Sequence, residues 1–189
     1  MNRRTLLKIL CGFLASATAS IVAIPGISFV LAPLRRKQSA TVTQRVARLS
    51  DLPIGKPVQF PIVGNHRDAW TVHDREVLGR VWVIRRDEGS AAGPESMEVT
   101  AFSTLCPHLG CALQHDAKGN QFVCPCHRAA FQLDGSRAAN TDPARKNHAP
   151  RNMDSLECHV VQDGTTGESW VEVTFERFEQ GLTQKVRKA

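Results

Sequence analysis

Acidic residues are absent from the first 37 positions of this 189-residue chain. That segment holds six of the 24 lysines and arginines, so the rest of the chain has 18 basic residues against 18 acidic ones. The formal net charge of +6 therefore comes from the N-terminus. Since no basic patch with interleaved aromatic residues follows, the composition argues against a nucleic-acid partner. No internal repeat is visible either.

Charge of either sign is missing from residues 9–34. A helix of that length spans the roughly 30 Å hydrocarbon core of a membrane. The run follows Arg3 and Arg4, and paired arginines before an apolar segment are similar to a twin-arginine export signal. A cleaved signal peptide is the alternative, although its apolar region is usually only about 7–15 residues long. We predict that residues 1–37 form an uncleaved, single-pass transmembrane anchor.

Basic residues flank both ends of this segment, so they do not decide its orientation by themselves. The paired arginines do, because they predict an N-terminus in the cytoplasm and a folded domain on the periplasmic, outer face of a bacterial inner membrane. Residues 38–44 are small and polar and have neither a helix nor a strand period. We expect them to form a flexible tether between the anchor and a domain over residues 45–189.

Short segments that alternate apolar and polar residues recur through residues 45–189, as half-buried strands do. They lie at residues 57–63, 69–72, 77–86, 97–102, 156–162 and 169–175. Glycine and proline separate them. This pattern predicts a mainly β domain with long loops. The stretch from about residue 103 to residue 150 interrupts the strands, and we expect it to be an insertion on this β base.

Two short cysteine–histidine motifs lie inside that insertion. They are Cys106-Pro107-His108-Leu109-Gly110-Cys111 and Cys124-Pro125-Cys126-His127. Each offers a thiolate and an imidazole, and together they make a four-ligand metal site. Zinc is one candidate occupant, but zinc ligand pairs usually have wider spacing. The short C-x-H and C-x-x-H pairs favour an iron–sulfur cluster in which two cysteines hold one iron and two histidines hold the other.

These motifs resemble those of the Rieske iron–sulfur protein family. The first is similar to C-T-H-L-G-C, with Pro107 in place of threonine, and the second is similar to C-P-C-H-G-S. The resemblance implies a Rieske-type antiparallel β domain that binds a [2Fe–2S] cluster. It implies cysteine ligands on the inner iron and histidine ligands on the outer iron, namely Cys106, Cys124, His108 and His127. It also implies a disulfide between Cys111 and Cys126.

The last two cysteines point to one branch of that family. Rieske domains of ring-hydroxylating oxygenases lack such a pair, whereas those of quinol-oxidising cytochrome bc and bf complexes have it. The resemblance then implies a subunit that takes one electron from quinol and passes it to a c-type cytochrome, beside a cytochrome b-type membrane subunit. It implies that Leu109, His108 and His127 dock the quinol. Because iron–sulfur clusters are assembled in the cytoplasm, such a domain is exported already folded, which agrees with the paired arginines.

The residues after His127 depart from the family pattern G-S-x-Y, since the chain reads Arg128-Ala129-Ala130-Phe131 there. The family's serine and tyrosine hydroxyls donate hydrogen bonds to sulfur atoms of the cluster and its ligands, and such bonds set the cluster potential. Ala129 and Phe131 cannot donate them. We therefore expect a lower potential than in relatives that have both hydroxyls, which favours a low-potential quinol such as menaquinol.

Two other functions fit parts of the sequence, whereas the predicted anchor and disulfide argue against a third, a Rieske ferredoxin that serves an oxygenase. The Rieske small subunit of an arsenite-oxidase-type molybdoenzyme also carries a Rieske centre and a twin-arginine signal, and a structural zinc module would use the same four side chains. The chain by itself shows no second cofactor site and no quinol pocket, so we expect a subunit and not a complete enzyme. Near the motifs we expect His148 to be an exposed loop histidine, and an approach to the cluster is the alternative. The G-P-A-P loop that covers the cluster in the family is matched only by Ala149-Pro150.

Overall fold

The computed structural model describes residues 2–35, 41–67, 71–86, 99–138 and 146–188. The first of these ranges is almost entirely one helix, α1 (Arg3–Arg35). Within it, Arg3–Ala32 is long and apolar enough to cross a membrane, and nearly all of its side chains are exposed. The prediction of one such helix at the N-terminus is confirmed.

Three polar residues in the middle of this apolar helix satisfy their hydroxyl groups locally. The side chains of Ser16, Thr18 and Ser20 each donate to the carbonyl oxygen four residues earlier, at 2.9 Å in every case. A hydroxyl that is bonded in this way does not need water, so hydrocarbon around it costs less free energy. The three short hydroxyl residues are therefore compatible with a membrane-spanning helix.

The described residues after the helix form a mainly β domain, as the alternating segments predicted. Its strands are β1 (Val42–Arg48), β2 (Val58–Arg67), β3 (Val72–Arg85), β4 (Val99–Ser103), β5 (Gln114–Asp116), β6 (Gln121–Val123), β7 (Ala130–Phe131), β8 (Ser155–Gln162) and β9 (Ser169–Phe175). Six of them form one sheet with the order β1-β9-β8-β4-β3-β2. A short 3-10 helix, Leu49–Asp51, follows β1. This sheet is the base that carries the two motifs.

Alternation along β9 shows how the sequence builds the large sheet. Val171, Val173 and Phe175 are buried, whereas the residues between them are partly exposed. The buried side chains pack with Ile62 of β2 and Val81 of β3 in a first hydrophobic core. Burying an aliphatic or phenylalanine side chain contributes about 1.5–3 kcal/mol to folding, so the sheet is held by side chains from strands that are distant in sequence.

A smaller sheet with the order β5-β6-β7 lies within the predicted insertion. Strand β6 pairs antiparallel with both neighbours, and Phe122 of β6 lies opposite Phe131 of β7. Both phenylalanines are fully buried in a second hydrophobic core, which also contains Cys106 and Cys124. One cysteine of each motif therefore lies in the same core.

The predicted tether, residues 38–44, overlaps the first strand of the large sheet. Strand β1 begins at Val42, so residues 42–44 belong to the large sheet, where Val42 lies opposite Phe175 and Thr43 opposite Thr174. The sequence alone hides this strand because β1 is mostly polar and is stabilised through its pairing with β9. Residues 38–40 of the predicted tether, residues 69–70 of one predicted strand and residues 97–98 of another lie outside the described residues.

Candidate metal centre

The first motif forms a loop between β4 and β5. The Cys106 N–H donates to the Cys111 carbonyl oxygen at 2.8 Å, and the Gly110 N–H donates to the Cys106 carbonyl oxygen at 2.9 Å. Gly110 has a φ of +78°, a left-handed conformation that glycine adopts without a steric penalty. The turn buries Cys106 and leaves the Leu109 side chain 63% exposed. The loop therefore has an inner thiol and an outer apolar tip.

The second motif follows the same backbone plan between β6 and β7. The Cys124 N–H donates to the Ala129 carbonyl oxygen at 2.8 Å, and the Arg128 N–H donates to the Cys124 carbonyl oxygen at 2.9 Å. Arg128 takes the position that corresponds to Gly110, with a φ of 56°. A residue with a β-carbon is disfavoured there by about 1–2 kcal/mol. The second loop therefore has the shape of the first but is strained at one residue.

A disulfide joins the two loops. It links Cys111 to Cys126 across a sequence separation of 15 residues, so the predicted pairing is confirmed. The Cys124 sulfur lies within 4.8 Å of both disulfide sulfurs. Closing a loop of this length stabilises a folded domain by about 3 kcal/mol in the chain-entropy model. The bond holds the two motifs side by side, and it needs an oxidising compartment to persist.

The other motif cysteines, Cys106 and Cys124, are buried free thiols. Burial raises the pKa of the Cys106 thiol to about 11, although the backbone N–H groups of His108 and Leu109 act in the opposite direction. The neighbouring Cys124 raises the pKa as well. Two thiolates in an apolar core need a cation to compensate their charge. The raised pKa keeps the Cys106 thiol neutral, so a thiolate at this position would require a metal cation beside it.

The motif histidines lie next to each other at the outer side of the loops. The ring centroids of His108 and His127 are 4.9 Å apart, and the ring planes are inclined by 76°. The Nδ1 atom of His108 is buried and has no hydrogen-bond partner among the described residues. A buried ring nitrogen without a partner is costly, so this atom fits a metal ligand. His127 is exposed, so its ring can be reached from solvent.

A third histidine joins this pair, although the sequence favoured an exposed loop position for it over an approach to the cluster. His148 is exposed, and its ring lies nearly parallel to that of His108, with a centroid distance of 6.1 Å and an interplanar angle of 24°. The adjacent Asn147 side chain donates to the carbonyl oxygens of Ala130 and Ala138, at 2.7 and 3.1 Å. These bonds hold the segment that carries His148 against the chain leaving the second motif. No spacing in the sequence links His148 to the motifs.

The two positions predicted to tune the redox potential are fully buried. Ala129 and Phe131 are each 0% exposed, and both pack in the second core with the motif cysteines Cys106 and Cys124. Neither side chain has a hydroxyl group. A hydroxyl introduced at either position would lie inside this core, where few other partners compete for its hydrogen bond.

Sequence reasoning missed the support that the first loop receives from the C-terminus. The Gly181 N–H donates to the Pro107 carbonyl oxygen at 2.9 Å. The buried Arg151 side chain in turn donates to the carbonyl oxygens of Glu179 and Leu182, at 2.7 and 2.6 Å. These contacts join segments that are far apart in sequence, and neither a motif nor a periodicity marks them. Gly181 suggests a turn and nothing more.

A sequence comparison identifies the family of this chain. A family model of the Rieske [2Fe-2S] domain matches residues 43–160, more than half of the chain, and this range includes both motifs. The chain belongs to the Rieske [2Fe–2S] family. It is therefore an iron–sulfur electron-transfer protein whose cofactor is a [2Fe–2S] cluster.

This Rieske protein is similar to curated proteins that are named as iron–sulfur subunits and to a solved plasma membrane Rieske protein. The menaquinol:cytochrome c reductase iron–sulfur subunit of Bacillus subtilis (strain 168) is 27% identical over 146 residues, covering 76% of this chain and 80% of the relative. The cytochrome b6-f complex iron–sulfur subunit of Synechococcus sp. (strain RCC307) is 30% identical over 83 residues, covering 44% and 43%. The plasma membrane Rieske protein of Synechocystis PCC 6803 is 22% identical, covering 68% of this chain and 97% of that one, with a TM-score of 0.40.

The side chains present fit a [2Fe–2S] cluster. Two buried thiols lie in an apolar core, and His108 has a buried ring nitrogen that no described residue satisfies. Thiolates and imidazoles together are the donor set of a Rieske centre. Which side chain binds which iron remains a prediction from the motifs.

Proposed function

We propose that this Rieske protein is the membrane-anchored electron-transfer subunit of a quinol:cytochrome c oxidoreductase, taking one electron from quinol and passing it to a c-type cytochrome. The observation that carries the proposal is the outer end of the site. There the His108 and His127 rings lie 4.9 Å apart, next to Leu109, which is 63% exposed. Such a face offers a quinol both hydrogen-bond partners and an apolar contact.

We infer that four side chains hold the cluster: Cys106 and Cys124 on the inner iron, and His108 and His127 on the outer iron. The burial of both cysteines and the exposure of His127 support this arrangement. When bound, the cluster supplies one-electron redox chemistry at a potential set by its ligands and surroundings. The disulfide between the loops keeps the two pairs of ligands together.

The role of the histidines follows from which ring nitrogen is free. Because Nδ1 of His108 is buried, its Nε2 is the nitrogen left to face a quinol. In the proposed mechanism this atom, in its deprotonated form, accepts a hydrogen bond from the quinol hydroxyl and takes up the hydroxyl proton as the quinol is oxidised. His127 is exposed beside it and is the alternative acceptor. Leu109 packs against the quinol ring and excludes water from the contact.

We propose menaquinol as the electron donor. The Bacillus subtilis relative is named for menaquinol, and it matches this chain over 146 residues. In addition, the buried Ala129 and Phe131 cannot donate hydrogen bonds to the cluster, and fewer donors mean a lower potential. A low-potential acceptor requires a low-potential donor, so both arguments support menaquinol.

The proposed location is a bacterial inner membrane, with α1 as the anchor and the β domain on the periplasmic face, beside a cytochrome b-type subunit. The apolar stretch Arg3–Ala32, the paired Arg3 and Arg4, and the disulfide support it. The chain between α1 and β1 would act as a tether that lets the domain move from the quinol to the cytochrome.

Export should fail when lysines replace both Arg3 and Arg4. A Lys-Lys variant that is exported normally would remove the twin-arginine proposal.

The test of function isolates the full-length protein, affinity-tagged, from its native membranes. We expect it to co-purify with a cytochrome b-type subunit and a c-type cytochrome, to contain iron, and to support reduction of the cytochrome by a menaquinol analogue. Leu109→Ala should slow this reaction while the Rieske paramagnetic signal is unchanged. Co-purification with a molybdenum-containing subunit would support the arsenite-oxidase-type function instead. A colourless protein that contains zinc would overturn both.

A further inference from the structure

The chain beyond β9 folds back on itself. Phe178 pairs with Arg187 in a β-bridge, and the Glu179 N–H donates to the Val186 carbonyl oxygen at 2.9 Å. Residues 178–187 therefore form a closed loop, called here the C-terminal loop. Phe178 is 3% exposed and packs in the first core, so the base of this loop is fixed to the large sheet.

The tip of the C-terminal loop contacts the first motif. The Gly181 N–H donates to the Pro107 carbonyl oxygen at 2.9 Å. Pro107 is the one residue between Cys106 and His108, and a proline has no N–H to donate. Its carbonyl is therefore the only backbone hydrogen-bonding group of the residue that separates the two proposed ligands. The C-terminal loop occupies that group.

Further contacts lie along the same stretch of backbone. A β-carbon on Gly110 would lie 3.6 Å from the side chain of Gln180, and one on Gly181 would lie 3.7 Å from the His108 carbonyl oxygen. Both are ordinary van der Waals distances. Residues 180–181 therefore lie along residues 107–110, the segment that contains His108 and Leu109.

Arg151 holds this tip in place. Its guanidinium makes a bidentate pair with Asp154, at 2.8 and 2.9 Å, and donates to the carbonyl oxygens of Glu179 and Leu182, at 2.7 and 2.6 Å. The two carbonyls flank residues 180–181. The side chains of Arg151 and Asp154 are only 8% and 5% exposed. A planar, forked guanidinium can make all these contacts at once, which an ammonium group cannot.

We propose that Arg151 is a positioning residue for the metal centre: through the C-terminal loop it fixes the Pro107 carbonyl and thereby the orientation of the first ligand loop. The inference rests on the proposed ligand roles of Cys106 and His108. A buried ion pair adds little stability compared with apolar side chains of similar volume. Its geometric effect on residues 179–182 is therefore the better account of the Arg151–Asp154 pair.

The test compares full-length, cluster-loaded variants. Arg151→Met combined with Asp154→Leu removes both buried charges together, a change that folded proteins often tolerate, and it releases the carbonyls on either side of Gly181. We expect hydrogen exchange at the Gly181 amide to become about tenfold faster, which corresponds to the upper range for one net hydrogen bond. We also expect the g-values of the reduced cluster and the midpoint potential of the cluster to shift, while the iron content is retained.

A matched control lies on the same segment. Arg187→Gln removes a 2.7 Å ion pair with Glu176, in which the Arg187 side chain is 72% exposed. This variant should leave exchange, g-values and potential unchanged. Arg151→Lys should lie between the wild type and the double variant, because an ammonium group can satisfy only some of the contacts.

Three results would overturn the proposal. One is a Gly181 amide that already exchanges freely in the wild-type protein, a measurement that needs no variant. Another is a double variant with faster exchange but wild-type g-values and potential. The third is an Arg187→Gln control with the same spectral change. None of these readouts uses quinol, so they remain valid if the electron donor proves to be a different molecule.

Discussion

The two cysteine–histidine motif loops share one hydrogen-bond pattern but differ in the contacts that stabilise them. In each, the first cysteine N–H donates to the carbonyl oxygen five residues later, and the N–H four residues later donates back to the cysteine carbonyl. The left-handed position is Gly110 in one loop and Arg128 in the other. Outside contacts come from Gly181 for the first loop and from Asn147 for the chain after the second. The same backbone shape is therefore reached with different side chains and different supports.

This difference shows that the second loop adopts a backbone conformation that its own residue at position 128 disfavours. Arg128 is disfavoured in the left-handed region by about 1–2 kcal/mol, a cost that Gly110 avoids. The residues that follow, Ala129, Ala130 and Phe131, are buried in or beside the second core. Burial of one phenylalanine side chain contributes about 1.5–3 kcal/mol, which is enough to offset the strain. Packing beside the loop, and not the loop sequence, stabilises this conformation.

The largest expected effect tests whether both loops supply ligands to the cluster. Alanine at either His108 or His127 should abolish the Rieske paramagnetic signal and lower the bound iron, because one iron would lose one of its two protein ligands. Alanine at Cys106 or Cys124 should do the same. The measurement is electron paramagnetic resonance of the reduced protein together with iron analysis.

Two controls make that comparison sharper. His148→Ala changes the imidazole next to His108 without touching a proposed ligand, so its signal should persist. Cys111→Ala should give a cluster that forms but is lost more readily on warming, because only the link between the loops is gone. A His127→Ala protein with a normal Rieske spectrum would show that the ligand assignment is wrong.

The next largest expected effect is a change in the redox potential of the cluster, caused by substitutions beside the second loop. Ala129→Ser with Phe131→Tyr adds two hydroxyl donors to the second core, each favouring the reduced cluster by about 1 kcal/mol as part of a charge-assisted hydrogen bond. With about 59 mV per tenfold for one electron, the midpoint potential should rise on the order of 100 mV. A potentiometric titration of the full-length protein measures this rise.

The matched control places the same kinds of substitution in the first core, at Ala47→Ser with Phe60→Tyr. That variant should have the same midpoint potential as the wild type, since neither residue packs with the motif cysteines in the second core. An unchanged potential in the second-loop variant would contradict the missing-donor argument, and the menaquinol proposal would lose one of its two supports.

The motifs predicted where a metal centre should lie because metal ligation depends on residue type and short spacing, and the assignment of the four ligands stays a prediction. Their two non-ligand cysteines form the predicted disulfide, and the alternating segments predicted the mainly β fold. The apolar run predicted α1 because a membrane-spanning helix has a strong compositional signal. The helix and the strands have local signals in the sequence, and the disulfide pairing follows from the family resemblance of the two motifs, which is why these features could be predicted without coordinates.

Features that depend on distant contacts were not predictable. Strand β1 is stabilised by pairing with β9, and the tip of the C-terminal loop meets Pro107 only after the chain has folded. The stacking of His148 on His108 joins residues 40 positions apart with no shared motif. The left-handed backbone at Arg128 could not be inferred from an arginine, because arginine has no preference for that conformation.

The smallest predicted effect tests the strain directly. Arg128→Gly should raise the free energy of unfolding by about 1 kcal/mol, because glycine removes the steric penalty of the left-handed conformation and loses only part of that gain to its greater freedom in the unfolded chain. For a domain of this size the melting temperature should rise by about 2–4 °C. Thermal unfolding followed by circular dichroism measures the change.

The first loop provides the reciprocal experiment. Gly110→Ala should lower the melting temperature by a similar amount, since the new β-carbon would meet Gln180 at an ordinary 3.6 Å and the penalty would therefore be conformational. Arg128→Lys keeps both the charge and the strain, so its melting temperature should match that of the wild type. If Arg128→Gly instead lowers the melting temperature, the arginine side chain must make a stabilising contact that outweighs the strain. The second loop would then be held by its own sequence, as the first loop is at Gly110, and the contrast between the two loops would disappear.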